Sequence, residues 1–215
     1  MKLQIGKTFP PHFQAAYPEE FQLFSHFEVT ATIPQVLFAI TTYKENGLPN
    51  VCFHSWSCFH GDCTAFFAVM GGLYQHTHTF ANIQRTGVFC LNFLPLSYYD
   101  RLVDTIHHND AQDDEFAVGG FTQDDCHTIA APAIREAFLN LECTLHSIQD
   151  LSGAGMTAMV TGQVQHASVE QSYAEGWEKR CGENGFMLIV PAPQNLVTGA
   201  PGQSALANLS VKRFD

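Results

Sequence analysis

The residues with chemistry to offer are histidines, thiols and hydroxyls gathered in a few short stretches. His76-Thr77-His78 places two imidazoles on one face of the chain if the segment is extended, and His54 lies near His60. Such spacing suits metal ligation, but zinc needs a third ligand and none stands at a recognisable distance along the chain. Surface or pocket histidines are therefore the default, and no metal is expected. Cys58 and Cys63 have four residues between them and no second pair to complete a zinc site, so they read as buried thiols. The familiar catalytic signatures are missing: there is no G-x-G-x-x-G, Walker loop, C-x-x-C, H-E-x-x-H or G-x-S-x-G. Gly153-Ala154-Gly155 lacks a third glycine and a following helix, and reads as a turn. Any nicotinamide nucleotide is thus not held by a Rossmann unit.

The elements that would position these groups are mostly strands. Residues 36–43 (VLFAITTY) form an apolar, β-branched run that ends at the hairpin signal Asn46-Gly47. Residues 50–59 return as one strand, with Val51, Phe53, Ser55, Ser57 and Phe59 on one face and Cys52, His54, Trp56 and Cys58 on the other. A third strand covers 64–70. After a largely polar link, a short helix is predicted from about Thr79 to Thr86, burying Phe80 and Ile83 and stopping at Gly87. Residues 88–94 make a fourth strand closed by Pro95, and Ser97-Tyr98-Tyr99-Asp100 resembles a capping box for a helix carrying Leu102, Val103 and Ile106. Residues 107–130 are acidic and turn-rich and read as an excursion over the surface. Strands resume at 141–148 and 159–164, where Gly162 marks a bulge. A helix at 173–180 and a last strand at 186–190 precede an irregular tail. Six or seven strands against three short helices point to a mainly β protein, a closed or partly closed barrel.

Composition narrows the function. The chain has 215 residues, 46% of them apolar and 14% charged, which is a globular composition with material for a sizeable core. A net charge of −11, with only ten Lys and Arg, argues against nucleic acid and anionic membranes as partners. No uncharged apolar run reaches the roughly 18 residues that span a bilayer. The first residues lack the apolar stretch of a secretory signal, and the seven Cys (Cys52, Cys58, Cys63, Cys90, Cys126, Cys143 and Cys181) are an odd number, several within apolar runs. The expectation is a cytoplasmic protein with reduced thiols, in which the sequon Asn208-Leu209-Ser210 has no use.

Three stretches together resemble the flavin reductase-like, FMN-binding split β-barrel family, which includes flavoredoxins. Gly47-Leu48-Pro49-Asn50-Val51 followed by Ser55-Trp56 is similar to the family's "G-x-P-N-V…S-W" strand. Residues 78–83 (HTFANI) through 86–93 (TGVFCLNF) resemble its "T-x-x-N-I…T-G-x-F-x-x-N" helix and strand. Asp114-Glu115-Phe116 through Pro132, then Leu141-Glu142-Cys143 and Gly162-Gln163-Val164, look like its excursion and return strands. The resemblance implies a single domain over 1–215, with an N-terminal arm (1–32), a barrel core (33–200) and a tail (201–215). It implies a homodimer with FMN near the subunit interface. It also implies hydride transfer from NADH or NADPH to the flavin, or electron transfer through bound FMN, with no catalytic protein nucleophile.

Residues able to hold FMN can be named on that basis. Trp56 offers a π-surface, and Ser55, Ser57 and Cys58 lie beside it along the strand for the ring's polar edge. Tyr74, Gln75, His76, Thr77, His78 and Thr79 lead into a helix N-terminus, whose N–H groups and positive dipole end suit a phosphate. The structural alternatives are that Trp56 is core, that Thr79 is the helix N-cap, and that Ser55 and Ser57 line a solvent-facing strand. The family commonly carries Arg or Lys just before this helix, whereas Gln75-His76-Thr77-His78 has neither, so His76 or His78 is expected to supply the charge. The competing functions are a flavin-binding carrier or sensor without turnover and, further off, a haem- or pyridoxal-phosphate-related member of the same barrel class.

Overall fold

Seven strands make one antiparallel sheet: β1 (Phe38–Tyr43), β2 (Pro49–His54), β3 (Ser57–Asp62), β4 (Ala65–Tyr74), β5 (Val88–Phe93), β6 (Leu139–Gln149) and β7 (Thr157–Val169). The spatial order is β2-β1-β5-β6-β7-β4-β3. The two edge strands, β2 and β3, are consecutive in the chain and joined only by Ser55-Trp56, yet no ladder links them. The barrel is thus open along one seam, and the seam falls at that two-residue joint. The fold is the mainly β, partly closed barrel that the strand count implies, and the split barrel that the resemblance implies. This computed structural model describes residues 1–8, 25–191 and 194–212.

The single strand expected over 50–59 is broken at this joint. Trp56 has φ +45°, in the left-handed region that bulky residues rarely adopt, and its carbonyl accepts from the Gly71 N–H at 2.7 Å. Continuous alternation across the joint is therefore lost, because a residue at positive φ cannot continue a pleat. β4 runs longer than expected, through Gly71-Gly72 to Tyr74. It carries an extra residue opposite Ala158–Val160 of β7, and Gly72, at φ +66°, absorbs that bulge. The bulge expected at Gly162 is present, with a register shift against β6. A Cβ there would come within 2.3 Å of the Phe89 ring, so only glycine lets that ring into the core.

The core lies inside the barrel, built from Phe38, Ile40, Met70, Leu73, Phe80, Ile83, Phe89, Leu91, Phe138 and Val160 among others. Helix α1 (His78–Thr86) buries Phe80 and Ile83 as expected, and ends on Gly87 at φ +70° with its N–H on the Ile83 carbonyl. Helix α2 (Tyr99–His107) buries Leu102 but leaves Ile106 48% exposed. The capping box expected at Ser97–Asp100 is not formed. A 3-10 turn, Leu96–Tyr98, feeds the helix instead, and Tyr98 makes no side-chain cap. The excursion carries a third helix, α3 (Glu115–Gly119), capped by the Asp114 carboxylate, and buries both Glu115 and Phe116. It is therefore part of the folded core rather than a surface ornament. Gly176, in extended backbone, divides the helix expected at 173–180 into Gln171–Glu175 and a 3-10 turn Trp177–Arg180.

Residues 36–187 with 208–215 form one compact unit, which contains the barrel. Residues 1–35 with 188–207 form a second. In the second unit, helix His26–Ala31 is capped by Ser25, and the His26 ring bonds the Gly6 carbonyl at 2.7 Å. A small separate sheet takes Gln35–Val36, Met187–Val190 and Ala205–Asn208, so the last expected strand does not join the seven-stranded sheet. Of the expected N-terminal arm, residues 9–24 lie outside the described residues, as do 213–215 of the tail. All seven cysteines are free. Cys90 and Cys143 are buried, but Cys58 and Cys63 are exposed, contrary to expectation, because β3 is an edge strand and Cys63 sits in its turn at φ +51°.

Candidate functional site

The seam between β2 and β3 collects polar groups that the fold leaves unsatisfied. The Ser57 hydroxyl and the His54 Nε2 are both buried without a hydrogen-bond partner. Burial pushes the His54 imidazole down to about 4, against a smaller opposing pull from the Gly71 backbone, so the ring is neutral at physiological pH. Ser55 is buried, Trp56 is half-buried, and Cys58 is exposed. The Trp56 indole lies beside the bare backbone of Gly71-Gly72: a Cβ on Gly72 would meet its Cε3 at 3.8 Å, and one on Gly71 would meet its carbonyl oxygen at 3.4 Å. An aromatic wall, glycine backbone and two orphaned polar atoms thus share one joint of the barrel.

The segment from Tyr74 to Thr79 is fastened internally. Gln75 donates its amide to the Asp150 carboxylate and the Thr157 carbonyl, both at 3.1 Å, and its backbone N–H to Met156. Thr77, not Thr79, is the N-cap of α1: its hydroxyl donates to the Tyr74 carbonyl at 2.8 Å and accepts from the Phe80 N–H at 3.3 Å. Thr79 is buried, accepts from the Asn50 amide at 2.8 Å and bonds the Cys52 thiol, which burial raises to about 11. The first-turn N–H groups of His78 and Thr79 have no helical partner, as at every helix start. His76 and His78 do not flank one extended face; His76 tilts against Tyr74 and His78 opens the helix, both exposed.

A cleft of about 500 Å³ lies along the outer face of α1, lined by Lys44, Asn46, His78, Asn82, Arg85 and Gln112 among others. His78, Ala81, Asn82 and Arg85 recur at helical spacing, a signal that was available in the sequence. Arg85 donates to the Tyr43 carbonyl at 2.6 Å and remains exposed. Lys44 is buried: it pairs with Glu115 at 2.8 Å and donates to the carbonyls of Asp110 and Asp113. Glu115 also accepts from the Val51 N–H at 2.6 Å, and burial pushes its carboxyl up while Lys44 pulls it back. Lys44 is thus neutralised by Glu115, and Arg85, in the last turn of α1, is the exposed cation on this cleft; sequence reasoning selected neither. Lys44 comes from the β1–β2 turn, and its partner Glu115 is distant in sequence.

Residues 29–180 match the flavin reductase-like domain. The chain belongs to the flavin reductase-like family. Solved structures share the fold. A split-barrel flavin reductase candidate from Shewanella frigidimarina superposes with a TM-score of 0.70 at 20% identity, over 88% of this chain and 90% of that one. Flavoredoxin of Desulfovibrio vulgaris gives 0.62 at 16%, over 85% and 90%. An FMN-binding protein of Thermus thermophilus, with bound p-hydroxybenzaldehyde, gives 0.67 at 15%, over 100% and 99%. In this flavin reductase-like chain the motif asparagines are braces. Asn50 holds Thr79, Asn82 donates to the Thr42 hydroxyl at 3.0 Å, and Asn92 donates to Ala39 and Thr41 while accepting from Ile134 and Asn140. They lock α1 and β5 to the barrel and so place the seam and the helix start. Among the described residues no His, Cys, Asp or Glu cluster is arranged to hold a metal ion, and no helix is long and apolar enough to cross a membrane.

Proposed function

We propose that this protein binds FMN at the seam and works as an NADH- or NADPH-dependent flavin reductase or flavoredoxin-type electron carrier, as a homodimer in the cytoplasm. The observation that carries the reading is the pair of buried, partnerless polar atoms, Ser57 Oγ and His54 Nε2, beside Trp56 and the glycine backbone. Buried polar groups are seldom left unbonded in a native protein, and a ligand with polar ring edges would satisfy both. The residues fit a flat, largely apolar ring system with a phosphate tail. Trp56 would wall the ring, Ser55, Ser57 and His54 would meet its polar edge, and Gly71-Gly72 admit close approach. The free N–H groups at the start of α1, with exposed His78 alongside, would take the phosphate. These local donors act at short range, whereas the net charge of −11 is screened beyond about 10 Å.

When bound, the flavin supplies hydride acceptance and electron transfer; the chain binds, orients and excludes water. His54 contributes a hydrogen-bonding nitrogen without charge, because burial keeps it neutral. Trp56 is held in place by the bond from Gly71 to its carbonyl. The test is the absorption spectrum of the purified protein with FMN, followed by anaerobic addition of NADH or NADPH. Flavin uptake and fast bleaching are expected. A yellow protein that neither nucleotide bleaches would instead be a carrier or sensor, and no uptake of FMN would overturn the reading.

A further inference from the structure

The turn at Gly153-Ala154-Gly155, between β6 and β7, is organised around one carboxylate. Asp150 Oδ1 accepts from the Ser152 N–H and hydroxyl, both at 3.1 Å, and from the Gly153 N–H at 2.7 Å. Its Oδ2 accepts from the Gly155 N–H at 2.7 Å. Gly153 and Gly155 stand at φ +69° and +71°, which lets the chain curl round the side chain. The Gly155 N–H, foremost of these donors, holds the carboxyl below the usual carboxylate range, so it stays ionised and its bonds are charge-assisted.

One further bond leaves the loop. Asp150 Oδ2 also accepts from the Gln75 side-chain amide at 3.1 Å. The same amide donates to the Thr157 carbonyl at 3.1 Å, and the Gln75 backbone N–H donates to the Met156 carbonyl at 2.9 Å. Gln75 is thus held by both its side chain and its backbone against residues 150–157. Beside it, the Tyr74 carbonyl accepts from the Thr77 N–H at 3.3 Å and from the Thr77 hydroxyl at 2.8 Å, and that hydroxyl caps α1. Only His76 separates the held residue from the cap.

We propose that Asp150 is a positioning residue for the phosphate end of the flavin site, acting through Gln75 and Thr77 to fix the start of α1. The inference rests on the reading that the N–H groups at that start meet the phosphate. A carboxylate on this side of the site repels a phosphate, so charge alone argues against Asp150, and what favours it is geometry. An amide in its place keeps one accepting oxygen and turns N–H groups towards donors, so the loop and Gln75 cannot both be held. Charge and position therefore predict opposite effects for the same substitution.

The test compares FMN with riboflavin, which lacks the phosphate, by calorimetry on wild type, Asp150→Asn and Gln75→Leu. Wild type should prefer FMN. Each variant should lose about fivefold in FMN affinity with riboflavin affinity unchanged, because only the phosphate end is loosened. Tighter FMN binding by Asp150→Asn, an equal loss for both flavins, or no loss would overturn the proposal while leaving the flavin site in place. A wild type that takes both flavins alike, or neither, would instead remove the phosphate reading and the proposal with it. The wild type also supplies a measurement that holds even if neither variant folds. Coupling is reciprocal, so FMN and not riboflavin should slow amide hydrogen exchange at Gly153 and Gly155. Exchange there unmoved by FMN would equally overturn the proposal.

Discussion

Replacing His54 by glutamine should flatten the acid side of the stability profile, by an amount the structure sets. The imidazole is driven from its ordinary 6.5 to about 4 by burial. Above pH 6.5 both folded and unfolded states carry a neutral ring, so His54 contributes no pH dependence there. Between 6.5 and about 4 the unfolded chain takes a proton that the folded one refuses, and stability falls as the pH drops. At about 1.4 kcal/mol per pH unit the full loss is about 3 kcal/mol, of which about 2 kcal/mol is reached by about pH 5. Urea unfolding of wild type and His54→Gln, followed by tryptophan fluorescence at about pH 7.5 and about pH 5, isolates this term, since other titrating groups are common to both proteins. The variant should gain about 2 kcal/mol relative to wild type on moving to the lower pH. Parallel profiles, or an NMR titration placing His54 near its ordinary value, would refute the buried, neutral ring on which the seam's chemistry rests.

Ser57→Ala should leave the cofactor-free protein as stable or about 1 kcal/mol more so, because an orphaned hydroxyl is removed, while FMN affinity measured by calorimetry falls about fivefold. Glu115→Leu strips the buried Lys44 of its counter-charge and should cost about 3 kcal/mol in urea unfolding. His78→Ala should weaken FMN binding, measured by calorimetry, about threefold, because the imidazole stands beside the N–H groups that would meet the phosphate.

Much of the frame was legible because local signals agreed with one another. Asn46-Gly47 turns the first hairpin and Gly87 ends α1, both glycines at positive φ, and Gly162 marks its bulge where a Cβ would strike the Phe89 ring. The excursion was misread because polarity hides its two anchors: Glu115 reaches Lys44 and Val51 from a distant part of the chain, and Phe116 alone is too little apolar signal to betray a buried helix. Ser97-Tyr98-Tyr99-Asp100 matched a cap by residue type only, and a 3-10 turn satisfied the helix start by other means. The site was legible as a neighbourhood and not as contacts. Thr77 and Thr79 were rightly placed at the head of α1, but their hydroxyls are engaged by Phe80 and by Asn50, while the partners of the cleft come from residues that meet only in three dimensions.

The most consequential misreading coincides with the proposed site. A run of strand-forming residues over 50–59 contradicts a break at Trp56, and the break exists only because a tryptophan occupies φ +45°. Each anomaly at that joint is unfavourable in isolation: left-handed backbone at a bulky residue and orphaned buried polar atoms each cost of order 1–3 kcal/mol. Left-handed backbone recurs singly at Thr32 and Cys63, whereas the motif asparagine Asn92 is fully bonded across three strands. Three such features gathered at one two-residue joint are hard to attribute to folding. A bound partner that bonds Ser57 and His54 and packs on Trp56 would offset them together. On that reasoning the cofactor should protect the seam's amides against hydrogen exchange more than those of the core strands β5 and β6, which the fold already holds closed.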